Sequence, residues 1–299
     1  MMDNSQRTQS ETDVRVTPSV LRTGRLSRLM RSRATRPGET YGVPGQGETF
    51  WLSIGSVMTF LFFWWLVTTL GWVEPLFMPS PQATVAKFFE IIDQGFTNTA
   101  FVHHVAISTA RVFGAFALAC AIGIPLGLAM GMSPLVRGIF DPPIEFYRPI
   151  PPLAYLPLMI IWFGIGETSK VLLIFLSIFA PVTLGARAGV RSAAIEQIHA
   201  AYSFGASRWQ VMRYVILPSA LPEILTSMRI GVGFGWTTLV AAEMVAATEG
   251  LGYMVLSASQ FLQTSTVIMG IVVIAAIAYL FDTTMRLTEK KLVPWKGRM

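Results

Sequence analysis

Six stretches of the chain, 51–72, 109–132, 144–164, 169–189, 223–246 and 264–285, are apolar almost without interruption. Crossing a hydrocarbon core of roughly 30 Å takes about 20 helical residues at about 1.5 Å each. Each stretch meets that length, and none alternates in polarity as a membrane barrel strand would. The pattern predicts an all-α integral membrane protein with six transmembrane helices. Between the first two spans, "PSPQATVAKFFEIIDQG" predicts a short helix capped by Ser80, with Pro81 in its first position. Val85, Phe88, Phe89 and Ile92 follow helical spacing and predict an apolar face laid along the membrane surface. Residues 1–50 hold few large apolar side chains and read as a disordered, Arg-rich tail. The first 30 residues lack the apolar core of a signal peptide. Residues 51–289 form the transmembrane domain, and 290–299 a short C-terminal tail.

Charge turns these spans into a topology. Only 13% of residues are charged and 53% are hydrophobic, whereas a soluble domain carries about 25% charge. Twenty Lys and Arg residues fall in the N-terminal tail, at 137 and 148, between 187 and 229, and from 286 onward. The opposite side holds Lys87, Arg111 and Lys170. That asymmetry places both termini and the segment His199 to Pro218 in the cytoplasm. It also accounts for the net charge of +6 without any nucleic-acid partner. Cys120 has no intrachain partner for a disulfide, and His103, His104 and His199 lack the acidic or thiol companions of a metal site.

Within the spans, Ala119, Gly123, Gly127 and Gly131 recur every four residues, as do Ser227, Gly231 and Gly235. Small residues on one helix face predict close backbone packing. The third span, "YRPIPPLAYLPLMIIWFGIGE", is broken by prolines. Irregular backbone at membrane depth is tolerated where protein or a water-filled cavity covers it. Arg148, Pro151 and Pro152 are therefore candidate pathway residues, the other reading being a bent start to a structural helix. Glu243, deepest of the acidic residues, either lines the pathway or hydrogen-bonds within the bundle. "GIGETSK" has a superficial likeness to a phosphate loop, but Val171 follows the lysine where Ser or Thr is required. No nucleotide site or nucleophile–base constellation is present, so the chain is not expected to hydrolyse ATP or act as an enzyme.

The most informative segment is "HAAYSFGASRWQVMRYVILP", between the fourth and fifth spans. Ser192 is placed to cap a helix from Ala193, and Gly205 to stop it. Ser207 and Gln210 form a capping box for a second helix that Pro218 is expected to end. Trp209, Met212 and Ile216 give that second helix an apolar stripe. A compact helical element projecting into the cytoplasm suits docking in a partner's groove.

This segment resembles the EAA loop of binding-protein-dependent ABC importer permeases: E-A-A, three residues, G, nine residues, I, one residue, L-P. Ala200, Ala201, Gly205, Leu217 and Pro218 match, Val215 stands for the isoleucine, and His199 replaces the glutamate. "SPLVRGIFDPPIEFYRPIPPLAYLPLMIIWFGIGETSK", "APVTLGARAGV", the run from Gly205 to Val255 and "VPWKG" extend the likeness over about 50–297. They are most similar to taurine importer permeases, with those for alkanesulfonates, nitrate and pyrimidine precursors less alike. The resemblance implies a type I importer permease fold of the MetI-like kind in the bacterial inner membrane. It implies a homodimer in lipid, two ATPase subunits holding ATP and Mg²⁺, and a periplasmic binding protein that delivers taurine. The loop 192–218, with His199, Ala200, Ala201, Gly205, Ala206, Leu217 and Pro218, would couple permease to ATPase. This chain itself would need no cofactor or metal. An ion-coupled secondary transporter would call for a series of buried acidic or histidine groups, which the sequence lacks. A membrane scaffold or receptor would have no use for a coupling loop.

Overall fold

A computed structural model describes residues 50–295; the tail 1–49 and the last four residues lie outside them. Among the described residues the regular structure is helical, with one isolated bridge between Phe96 and Thr99. The helices are α1 (Phe50–Thr69), α2 (Pro81–Gln94), α3 (Phe101–Met132), α4 (Pro134–Tyr147), α5 (Pro152–Phe163), α6 (Glu167–Val190), α7 (Ile195–Ser203), α8 (Arg208–Val211), α9 (Leu217–Ala246), α10 (Leu251–Gln260) and α11 (Thr264–Leu292). A π-turn, Met212–Ile216, joins α8 to α9. The chain divides after Leu66 into two units. The first holds most of α1, a 20-residue apolar helix; the second holds the remaining helices.

Among the described residues, five helical stretches are long and apolar enough to cross a membrane: α1, α3, α6, the continuous run Arg208–Ala246, and α11. The expected third span, 144–164, is divided. Prolines at 149, 151 and 152 supply no amide hydrogens, so the helix cannot propagate through them. Pro151 is extended (φ −56°, ψ 132°), and α5 begins afresh after it. Twelve residues make α5 about 18 Å long, short of the roughly 30 Å needed.

The second unit is built on α6. α3 packs against one side of it through the expected stripe: Ala119 is fully buried, and Gly123, Gly127 and Gly131 meet Thr183, Ala186 and Val190. α9 packs on another side, with Ser227 against Gly185 and Gly231 and Gly235 against Ile178. Val112, Ala115, Ile174, Val182 and Leu239 complete the apolar core between the three helices. At Gly127 an added Cβ would lie 2.2 Å from the Thr183 carbonyl oxygen, and backbone cannot swing aside as a side chain can. Gly127→Ala is expected to destabilise the protein by about 1–3 kcal/mol, read as a lower melting temperature. Gly114→Ala, into open space on the same helix, should leave it unchanged.

Helix α2 starts as predicted: the Ala83 N–H donates to Ser80 Oγ at 3.2 Å, and Pro81 occupies the first turn. Its apolar stripe, however, splits. Val85, Phe89 and Ile92 are exposed, as the surface-helix reading expects, but Phe88 turns inward with Ile91 against Phe101, Met254 and Met269. The side buried in the protein is thus offset from the side left open to a membrane.

Candidate functional site

The segment between α6 and α9 forms helix, glycine turn, helix. α7 begins at Ile195 after Ala194 in extended conformation, without a side-chain cap. Ser192 does not cap it. Its hydroxyl donates at 2.7 Å to the carbonyls of Gly189 and Ser219, tying the end of α6 to the start of α9. Gly205 adopts φ +80°, a backbone that side-chain-bearing residues rarely accept, and its N–H donates to Tyr202 O at 2.9 Å. The capping box forms in both directions: Gln210 N–H donates to Ser207 Oγ at 3.3 Å, and Ser207 N–H to Gln210 Oε1 at 2.7 Å.

Pro218 does not end the second helix. The π-turn at Met212–Ile216 carries the chain into α9, where Pro218 sits in the first turn, and Ser219 Oγ donates to the Val215 carbonyl at 2.8 Å. This wider turn also alters which residues share a face. Val211 and Ile216, five apart, are buried, whereas Trp209 is exposed and Met212 half-buried. The expected Trp209–Met212–Ile216 stripe assumed α spacing throughout. The outer surface carries Phe204, 92% exposed, together with Tyr202, Trp209, Tyr214 and His199. Ala200 is exposed, Ala201 and Ala206 are half-buried at the bend, and Leu217 is half-buried where α9 begins.

A cavity of about 640 Å³ lies between the proline-rich turn, α6 and α9. Its volume is within the usual range for small-molecule sites, about 300–1,000 Å³. Arg148, Pro151 and Pro152 line it, together with Tyr155, Ser177 and Glu223. The turn at which α4 ends and α5 restarts supplies part of its wall. Three of the four candidate pathway residues are therefore brought together; the fourth, Glu243, is not among the lining residues.

Glu243 is instead the centre of a polar cluster joining α3, α6, α9 and α10. It is fully buried. Its carboxylate accepts from Ser108 Oγ at 2.7 and 2.9 Å, from an Arg111 N–H at 2.6 Å and from the Gly252 N–H at 2.8 Å. Arg111, 3% exposed, donates two further bonds of 2.6 Å to Glu167, which also accepts from Lys170 at 2.8 Å. The segment before α10 is held to the same cluster. The Glu249 carbonyl accepts from Arg111 at 2.9 Å, Leu251 N–H donates to Ser108 at 2.8 Å, and Gly250 N–H donates to His104 Nδ1 at 3.1 Å. That last bond puts the His104 proton on Nε2, which faces the Phe96 carbonyl at 3.4 Å. Both oxygens of Glu243 are occupied. Arg111 and Glu167 are 56 positions apart, Arg111 and Glu243 132 apart, and no local sequence signal joins them.

The family of binding-protein-dependent transport system inner membrane components matches residues 123–294, which take in the cavity, the helix–turn–helix segment and Glu243. The chain belongs to that family. It is a multi-pass inner-membrane permease, a transport subunit and not an enzyme. The permease is 56% identical over 249 residues to the taurine transport system permease protein TauC of Escherichia coli, covering 83% of this chain and 90% of that one. It is 36% identical over 234 residues, 78% of this chain and 83% of the relative, to the putative aliphatic sulfonates permease SsuC of Bacillus subtilis. Among solved structures, inward-facing conformations of the MetNI methionine ABC transporter match with a TM-score of 0.56 at 19% identity. That alignment covers 64% of this chain and 95% of the transporter chain, a likeness of fold.

Proposed function

We propose that this permease is the membrane-spanning subunit of an ATP-driven importer that carries taurine across the inner membrane. The observation that carries the reading is the 56% identity to a taurine permease over nine-tenths of that relative's length. Two copies form the pathway in lipid. Two ATPase subunits hold ATP and Mg²⁺ and seat the segment 192–218 in a cleft, and a periplasmic binding protein delivers the solute. Both termini lie in the cytoplasm, a reading that the charge asymmetry supports. The exposed aromatic surface around Phe204 supports the docking role of the segment. The 640 Å³ cavity, with Arg148, Pro151 and Pro152, supports the reading of that region as pathway.

Uptake of labelled taurine in a deletion strain and its complemented parent tests this directly. Deletion is expected to abolish uptake, complementation to restore it, and alkanesulfonates and nitrate to compete weakly. Intact taurine uptake in the deletion strain, with alkanesulfonate uptake lost, would move the assignment toward the function named for the Bacillus subtilis relative.

A further inference from the structure

The 640 Å³ cavity presents charged groups of both signs. Arg148 comes from the turn after α4, and Glu223 from the second turn of α9. Arg148 donates through one terminal nitrogen to Glu145 at 3.3 Å, and its side chain stays 57% exposed. Arg187 also holds Glu145, at 3.5 Å. A guanidinium offers five N–H donors in a planar fork, so most of the Arg148 fork remains open to another acceptor. Glu223 is exposed and meets no basic side chain within ion-pair distance among the described residues. The wall near them includes Tyr155, Ile230, Phe234 and the prolines, so it is largely apolar. Glu223 also lines a second cavity, of about 780 Å³, that reaches Ser192, Gln197 and Tyr214 beside α7 and α8.

We propose that Arg148 and Glu223 hold the two ends of a zwitterion in this cavity, a sulfonate on Arg148 and an ammonium on Glu223. The inference rests on the permease reading above and adds the chemistry of selection to it. The planar guanidinium fork matches two oxygens of a tetrahedral anion. A carboxylate lining the same cavity repels an anion that brings no cation of its own. An aminosulfonate satisfies both charges, whereas a plain alkanesulfonate leaves Glu223 unmatched, which is discrimination by a repulsive element. Both side chains are exposed rather than buried among other groups, so the hold is modest and compatible with onward release. The cavity shared through Glu223 sets the ammonium end on the side of the helix–turn–helix segment.

The test is thermal unfolding of the detergent-solubilised, nucleotide-free permease–ATPase complex without binding protein. It is run in taurine, ethanesulfonate or sodium chloride up to about 100 mM, since a ligand of the folded state raises stability with the logarithm of its concentration over Kd. Taurine is expected to raise the melting temperature of the wild type more than ethanesulfonate does. Glu223→Gln should weaken the apparent taurine affinity by about tenfold or more, to the ethanesulfonate level. Glu223→Asp, which keeps the charge, should retain the preference, and Arg148→Gln should lose the response to both. The inference is overturned if taurine gives the wild type no more than the salt response. It is equally overturned if Glu223→Gln loses both ligands to the same extent, or if both neutral variants respond as the wild type does. Cellular taurine uptake judges the permease reading separately: uptake present without a cavity response removes the zwitterion site alone.

Discussion

Arg111→Ala is expected to leave little folded permease in the membrane. One guanidinium, 3% exposed, serves Glu167, Glu243 and the Glu249 carbonyl at 2.6–2.9 Å. Without it Glu167 keeps Lys170, but Glu243 keeps only neutral donors, Ser108 and the Gly252 N–H. Removing one partner of a buried ion pair costs about 3–5 kcal/mol, because the other charge stays buried and uncompensated. Monodisperse protein recovered after solubilisation, and its melting temperature, read the effect. Adding Glu243→Gln should recover a large part of the loss, since the amide oxygen still accepts from Ser108 and Gly252 while the charge is gone. Wild-type stability in Arg111→Ala would show that the cluster does not hold the helices together.

Gly205→Pro is expected to abolish ATP hydrolysis stimulated by the loaded binding protein while leaving membrane insertion intact. Proline fixes φ near −65°, whereas Gly205 stands at +80°. It would also remove the N–H that Tyr202 O accepts. An added Cβ meets nothing within 4 Å, so the damage is conformational and confined to the bend between α7 and α8. Gly205→Ala separates conformation from shape: it fits sterically but meets a left-handed penalty of about 1–2 kcal/mol, so an intermediate loss is expected. The reconstituted complex with ATPase and binding protein gives the measurement. Normal stimulation in Gly205→Pro would sink the coupling role of this turn.

Local patterns carried much of this structure. The small-residue stripes of α3 and α9 were legible because helical packing depends on a spacing of four, visible in any single chain. The Ser80 cap, the Ser207–Gln210 capping box and the Gly205 turn were legible because each is decided within a few residues. That the third span is interrupted was legible in its prolines, but where the helix stops and restarts was not, because hydropathy does not register a missing amide hydrogen. The continuity of α8 into α9 was hidden because a π-turn has no composition of its own, and Pro218 reads as a stop unless the hydrogen bonds around it are known. Of the cavity, Arg148 and two prolines were legible as a proline-broken region, whereas Glu223 reads as an ordinary residue near a helix start. Glu243 stood out by depth, but its partners on α3 and α10 meet it only through tertiary folding.

The π-turn between α8 and α9 has a mechanical consequence. It is a joint within an otherwise continuous rod, and it holds one residue more per hydrogen-bonded loop than the helix on either side. Returning it to α geometry would turn the rod beyond it by about 100°, the angle per residue of an α-helix, whereas passing it along would turn only the residues it passes. A thrust delivered at the Gly205 bend would therefore emerge as torsion about the axis of α9 as well as displacement along it. The side chains that α9 turns toward the cavity, Glu223 among them, would swing together in a single stroke.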